Sequence, residues 1–433
     1  MNLFPKFWQV YPANTVCAEI VDCLNKTAPI VEHDTGYRMI RTTNVRHGQV
    51  DVEENRFVEE AVFNKWTRRA RPKRGDIILS REAPLGEVGM LRSDAKVFLG
   101  QRTMLYRADP VKLDQQFLYY QMIGPYVQAQ IHGQGSGSTV EHLRVPDAET
   151  LDIPIAPLKS QRKIGAILSA YDELIENNQR RIALLEKMAE EIYREWFVRL
   201  RFPGHEKVKV IKGVPEGWSF DKASNFIGLA KGKSYAAEEL TEDTAHMPFI
   251  NLKSFNRGGG YREDGLKYYS GRYKLEQVVH QNDVVMAVTD MTQDRAVIGR
   301  VARMPDLGEK GAVISLDTVK LVPKNIHKIF LYSYMRHSGF ANFIKEFANG
   351  ANVLHLKPDL ITQQKIIIPP KQLQNEFAPM VEPLYAEADL LGMTNRRLEK
   401  MRDALLPRLI SGKLSVENLD IQFPLGMEES AYA

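Results

Sequence analysis

The residues best suited to chemistry in this 433-residue chain are cations set among aromatic and small residues. The stretch "KWTRRARPKR", residues 65–74, carries Lys65, Arg68, Arg69, Arg71, Lys73 and Arg74 with no acid among them, and Trp66 lies inside it. Positive charges crowded on one short stretch repel one another unless an anion sits nearby, and nucleic-acid phosphates are the usual partner. A solvated basic loop is the plainer alternative. Further along, "NLKSFNRGGGYREDGLKYYSGRYK", residues 251–274, sets Lys253, Arg257, Arg262, Lys267, Arg272 and Lys274 against Glu263 and Asp264. Tyr261, Tyr268, Tyr269 and Tyr273 are interleaved, and Gly258 to Gly260 permit close backbone approach. Arg, Asn and Tyr on loops suit contacts to phosphates and base edges; a hairpin whose tyrosines pack on a sheet is the alternative. The candidate DNA contacts are therefore Lys65, Arg68, Arg69, Arg71, Lys73, Arg74 and Arg102 in the first part of the chain. In the second part they are Lys253, Arg257, Arg262, Tyr268, Tyr269, Arg272 and Lys274.

Motifs for bond-making chemistry do not accompany these cations. "GLAKGKS" (228–234) is one residue short of the spacing of a phosphate-cradling loop, and "GQGSG" lacks that of a dinucleotide loop. There is no GxSxG, no metal-spaced Cys/His cluster and no Asn/Asp-Pro-Pro-aromatic motif of amino-methyltransferases. His142 and His355, each before a Leu, read as structural. Cys17 and Cys23 are not spaced as CxxC and read as two buried or half-buried thiols. The chain is thus expected to be non-catalytic, with no metal and no cofactor of its own. Net charge is +4, too small to argue a nucleic-acid partner by itself. With 44% hydrophobic and 26% charged residues, no signal-peptide pattern and only short apolar runs, the sequence reads as a soluble cytoplasmic protein.

The elements that must position the cations are written twice. Shifted by 213 residues, Val140, His142 and Leu143 fall on Val353, His355 and Leu356. Under the same shift Ile153, Ile155 and Pro157 fall on Ile366, Ile368 and Pro370, and Gln161 on Gln374. Leu185, Glu186, Lys187 and Met188 then fall on Leu398, Glu399, Lys400 and Met401. Upstream the match continues with gaps: "RPKRGDIILS" (71–80) resembles "VVHQNDVVMA" (278–287), polar, then an acid, then an apolar strand. The chain is a duplication. Each copy reads as a β-rich globule, a short extended stretch ending in proline, and a long helix.

The first helix has a heptad seam through Ile164, Leu168, Tyr171, Ile175, Asn178, Ile182, Leu185, Ala189, Ile192 and Trp196. The second runs through Phe377, Val381, Leu384, Ala388, Leu391, Asn395, Leu398, Arg402, Leu405 and Leu409. Each seam holds one Asn, the residue that fixes register at a cost in stability. Arg402 interrupts the second seam, with Met401 as a substitute, and Pro379 and Pro383 predict a late start or a kink. Two matching seams in one chain predict an intramolecular antiparallel coiled coil about 50 Å long, which would hold two similar globules at a fixed separation. Each helix packed on its own globule is the alternative. The expected architecture is α+β, with an internal pseudo-two-fold duplication. A first globule spans 1–157, a helix 158–200, a second globule 201–372, a second helix 373–413 and a tail 414–433.

This architecture resembles the specificity subunit of type I restriction–modification systems. "IPIAPLKSQRKIGAILSAYDELIENNQRRIALLEKMAEEIYREWFVRLRF" (153–202) looks like that family's central conserved region. "IIIPPKQLQNEFAPMVEPL" (366–384) with "NRRLEKMRDALLPRLISGKL" (395–414) looks like the distal one, and "GVPEGWSF" (213–220) resembles the usual opening of a recognition domain. The resemblance implies that each globule reads one half of a bipartite double-stranded DNA target. It implies that the helices set the spacer and dock two methyltransferase subunits, and that nuclease/translocase subunits complete the complex. S-adenosylmethionine and ATP with Mg would then be bound by the partner subunits. A free-standing DNA-binding scaffold outside restriction is the other reading.

Overall fold

The computed structural model describes residues 4–53, 56–135, 141–262 and 265–423, so Val140, Glu263 and Asp264 lie outside the described residues. The chain divides into two compact units, residues 1–177 with 395–433 and residues 178–394. Both are α+β. Among the described residues no helix is long and apolar enough to cross a membrane.

In unit 1 the central sheet has the order Cys17–Asp22, Thr103–Ala108, Ile77–Arg81, Leu85–Met90, Gly48–Val50, Val45–Arg46. Successive side chains of a strand face opposite ways, and each face here has its own core. Ile77, Leu79, Met104 and Tyr106 pack with Phe117, Tyr120 and Val127 of the helices Gln115–Ile123 and Pro125–Gly133. Ile78 and Leu105, one residue out of phase, pack with Ile40 and Val97 of a smaller sheet. In that sheet Tyr37–Ile40 runs parallel to Lys96–Leu99 and antiparallel to Arg56–Phe57. Cys23 is buried and Cys17 half-buried, and burial pushes the Cys17 thiol up to about 12, with Asp109 adding to the shift.

Unit 2 is built the same way. Its central sheet has the order Ile227–Lys231, Thr318–Pro323, Val284–Ala287, Val301–Arg303. Val284, Met286, Val319 and Leu321 face the helical core with Phe330 and Met335. Val285 and Ala287 face Ile250, Ala312 and Ile314. Met247–Ile250 again pairs in parallel with Ala312–Ile314 and antiparallel with Lys267–Tyr269. The parallel pairing inside the smaller sheet is thus reproduced in both units, which places the duplication at the level of topology; unit 1 adds a second parallel pair, Gly48–Val50 with Leu85–Met90.

The acid that precedes the apolar strand in both copies is a structural device. Asp76 accepts from the Lys73 amide at 2.8 Å and receives two bonds from Arg107, at 2.8 and 2.7 Å. Asp283 accepts from the His280 amide at 2.9 Å and holds Lys320 at 2.6 Å and Lys328 at 2.7 Å. Arg107 and Lys320 stand one repeat apart. Burial alone would raise the Asp283 carboxyl, but the two ammonium groups and the amide outweigh it and hold it below the usual carboxylate range.

The first long helix is Leu158–Tyr193, followed by a π-turn Arg194–Val198, and the second is Lys371–Ile410. Both start at the same repeat position, so the second begins neither late nor at residue 373. Pro379 and Pro383 lie within it, both exposed and one turn apart on the same side. Each removes one backbone bond, and the carbonyls thus freed, of Asn375 and Pro379, lie on an exposed stretch. Phe377, Val381 and Tyr385 are buried in the unit 2 core and hold the helix in place.

The helices are antiparallel in each unit. In unit 1, Ile164 and Leu168 share a core with Leu409 and Ile410. In unit 2, Ala189, Tyr193 and Trp196 share one with Phe377 and Val381. Ile175, Asn178, Leu391 and Asn395 are buried; Tyr171, Ile182, Leu185, Ile192, Leu384, Leu398 and Leu405 are half-buried. The Asn395 amide donates to the Ile175 carbonyl of the other helix at 3.2 Å. Met401 does not replace Arg402: Met401 is exposed, and the Arg402 guanidinium bonds Asp172 at 2.7 Å, so a part-buried ion pair fills that seam position. Nor are residues 414–423 separate from unit 1, while the rest of the expected tail, 424–433, lies outside the described residues. Val416 is buried in unit 1, and the Lys163 ammonium donates to the carbonyls of Val416, Glu417 and Leu419 at 3.2, 2.9 and 2.6 Å.

Gln161 and Gln374 join helix to globule. The side-chain carbonyl of Gln161 accepts from the Asp114 amide at 2.8 Å, and its NH2 donates to the Ala156 carbonyl at 2.7 Å. Gln374 does the same, accepting from His327 at 2.8 Å and donating to Pro369 at 2.8 Å. All three pairs of positions are related by the 213-residue shift. Gln374→Ala leaves a buried carbonyl and a part-buried N–H unpaired, so unit 2 is expected to lose on the order of 1–3 kcal/mol in urea titration. Asp283 contributes stability above the unfolded carboxylate pKa and loses it as pH falls through its lower folded value. Acid titration of Asp283→Asn, followed by circular dichroism, is expected to show a flatter stability decline below about pH 4 than the parent.

Candidate nucleic-acid interface

The basic stretch of unit 1 leaves the short helix Glu60–Trp66, whose Phe63 is buried and whose Trp66 lies edge-on to Phe98 at 6.4 Å. Trp66 is therefore half core. Several of the cations find anions or acceptors inside the protein. Arg69 is clamped by the Asp22 carboxylate at 2.6 Å and by the Asp22 carbonyl. Arg71 bonds the Asn64 side-chain oxygen at 2.8 Å and lies over the Phe63 ring, and Arg74 pairs with Asp94 at 3.1 Å. Lys65, over the Trp66 ring, Arg68 and Lys73 are exposed. The repulsion within the run is thus relieved largely from within the unit, and the six residues do not form one uniform surface.

Arg102 lies elsewhere, in the turn before Thr103–Ala108, with φ +65°. Its Nε is 2.8 Å from Glu82 Oε2, and its amide donates to Cys23 Sγ at 3.2 Å. It lines a concave cavity of about 300 Å³ with Lys26, Arg41, Arg56, Trp66 and Glu82. Sequence reasoning missed Lys26, Arg41 and Arg56. Lys26 and Arg41 stand singly on separate loops and Arg56 on the strand Arg56–Phe57, and only the fold gathers them.

In unit 2, Tyr269 is a core residue. It is buried, stacks on Phe249 at 5.2 Å, and its hydroxyl bonds Glu239 at 3.1 Å and the Arg272 carbonyl at 3.3 Å. A ring enclosed in this way has no face left for DNA, because alternate residues of the strand Lys267–Tyr269 point inward. Tyr268, its neighbour, is half-buried. Lys253, Arg257, Arg262, Arg272 and Lys274 are exposed, with Arg257 4.0 Å from Asp294 and Lys274 3.7 Å from Glu276. The close approach permitted by the triple glycine is to the protein itself: a Cβ on Gly260, at φ +89°, would lie 2.5 Å from Arg336 Nη1. His355 sits in a two-residue strand paired with Thr289–Asp290, and His142 forms the matching bridge to Glu82.

Two copies of one α+β unit, each joined to halves of two antiparallel helices and each presenting cations on loops, define a duplicated binding scaffold. The profile of the type I restriction modification DNA specificity domain matches residues 30–187 and 215–400, one match per copy, and the chain belongs to that family. It is 27% identical over 382 residues to the type I restriction enzyme MjaIX specificity subunit of Methanocaldococcus jannaschii, covering 84% of this chain and 83% of that one. It is 23% identical over 428 residues to the putative MjaX specificity subunit of the same organism, covering 95% of both. Its fold is similar to the crystal structure of a type I restriction–modification S subunit from M. genitalium, with TM-score 0.58, 18% identity and coverage of 94% of this chain and 97% of that one.

Because Arg69 ties its loop to Asp22, Arg69→Ala is expected to lower the thermal midpoint of unit 1. Arg68→Ala changes the stability of the unit by no more than about half a kcal/mol, as befits an exposed side chain; differential scanning calorimetry distinguishes them.

Proposed function

We propose that this chain is the non-catalytic, sequence-specific DNA-binding subunit of a type I restriction–modification complex. Unit 1 reads one half of a bipartite target and unit 2 the other. The long helices set the unspecific spacer and dock two methyltransferase subunits, which bring S-adenosylmethionine, while nuclease/translocase subunits bring ATP and Mg. Lys65, Arg68 and Lys73 in unit 1, and Lys253, Arg257, Arg262, Arg272 and Lys274 in unit 2, supply phosphate contacts. The observation that carries the reading is the duplication itself, in a chain of the specificity-domain family: two domains on one repeated joint, with different residues on their loops. A pseudo-two-fold support also offers two equivalent faces to two identical partners.

Expression of the chain with its cognate methyltransferase subunit in a host lacking adenine methylation is expected to yield a bipartite methylated motif that vanishes when the chain is omitted. Methylation that ignores the chain would sink the proposal. Inserting seven residues after Asn178 and seven after Asn395 keeps the seam in phase and adds about 10 Å to each helix. The spacer is then expected to grow by about three base pairs; an unaltered spacer removes the measuring role from the helices.

A further inference from the structure

We propose that the cleft of unit 1 formed by Lys26, Arg41, Arg56, Trp66, Glu82 and Arg102 is its sequence-reading pocket, and that Arg102 is a specificity-determining residue that engages a base edge. This rests on the reading of unit 1 as a DNA-recognition domain.

Four loops close on the cleft, those that follow the strands Cys17–Asp22, Tyr37–Ile40, Ile77–Arg81 and Lys96–Leu99. They bring Lys26, Arg41, Arg102 and the Glu82 carboxylate to its wall, and the strand Arg56–Phe57 adds Arg56. The wall is braced. The Gly100 amide donates to the Ile40 carbonyl at 2.7 Å, and a Cβ on Gly100 would lie 2.5 Å from that oxygen. The Thr42 hydroxyl donates to the Ala83 carbonyl at 3.1 Å, and the Arg102 amide is anchored on the buried Cys23 sulfur. A surface ordered before binding loses little entropy on binding. Arg102 is about half exposed, at 46%, and Glu82 engages it at Nε. That fixes the guanidinium while its terminal amino groups remain, the donors that guanine O6 and N7 accept as a pair.

Unit 2 provides an internal control. There the Ser315 amide donates to the Ile250 carbonyl at 2.8 Å, in the place of the Gly100–Ile40 bond. The residues that follow are Leu316, exposed, and Asp317, where unit 1 has Gln101 and Arg102. A retained backbone brace under changed loop side chains is what two domains reading different sequences require.

The test is the adenine-methylation map of the full chain with its cognate methyltransferase subunit, comparing the parent with Arg102→Ala, Arg102→Lys and Glu82→Gln. Arg102→Ala is expected to relax one G·C position in one half-site, discrimination there falling on the order of 10- to 100-fold. The other half-site and the spacer stay unchanged. Arg102→Lys keeps the charge but not the fork, so it relaxes the same position with DNA affinity retained. Glu82→Gln, a positioning change, relaxes it partially. If a variant abolishes methylation, DNA binding and thermal melting of that chain decide: lost affinity with unchanged melting supports the contact, and lowered melting with affinity retained overturns it. A motif unchanged base for base in all three variants overturns the inference and leaves the bipartite reading standing. A parent chain that directs no motif overturns that reading, and the pocket assignment with it.

Discussion

A single buried glutamine amide in each half joins helix to globule. Gln161 and Gln374 each hold, by two hydrogen bonds, the amide at the start of one globule helix and the carbonyl just before the long helix begins. A side-chain amide both donates and accepts, so one residue fixes three pieces of chain at once: the short strand, the long helix and the helix Gln115–Ile123 or Lys328–His337. Because the carbonyl it satisfies is buried and the N–H part-buried, its loss costs more than the bond is worth in isolation. Everything the globules do with DNA presupposes that this joint sets their orientation on the helices.

Two further contacts brace it, and both recur. Arg92 bonds Glu176 at 3.0 Å on the first long helix, and Arg303 takes both oxygens of Asp389 at 2.7 Å on the second. Glu176 and Asp389 are one repeat apart. A hydroxyl contact is also kept while its side chains trade places: Tyr120 to Asp172 at 2.6 Å in unit 1, Ser333 to Tyr385 at 3.1 Å in unit 2. In unit 1 the smaller helix residue leaves a carboxylate that Arg402 also reaches; in unit 2 Tyr385 fills the space and the position matching Arg402 is Ala189, fully buried. The polar interruption of one seam and the small residue of the other are thus two solutions to one packing problem. Desolvation offsets much of the attraction in such part-buried charge pairs, so their net contribution to stability is small.

The recognition surfaces follow a different rule. Bonds that hold the loops in place are shared between the units, while the side chains displayed on them are not. Tyr269 and Trp66, which look in sequence like stacking platforms, are largely consumed by the cores under those loops. Free surface is left to cations that stand apart along the chain. In unit 1 the fold gathers Lys26, Arg41, Arg56 and Arg102 from separate parts of the chain around one cleft, beside the Glu82 carboxylate.

By itself the sequence determined the duplication, the paired helices, the seam and the family, because these are written in local periodicity and in one constant shift. Heptad spacing survives in sequence because a helix repeats its faces regularly. It also located Gln161 and Gln374 as matched, though not what they bond. Only the tertiary structure decided which cations are spoken for, since Asp22 and Asp94 reach Arg69 and Arg74 from distant segments. The same holds for the uninterrupted second helix through Pro379 and Pro383, where buried packing outweighs the missing backbone bonds. Lys26, Arg41, Arg56 and Arg102 meet through strand order alone, and no spacing along the chain encodes a meeting made by the register of two sheets.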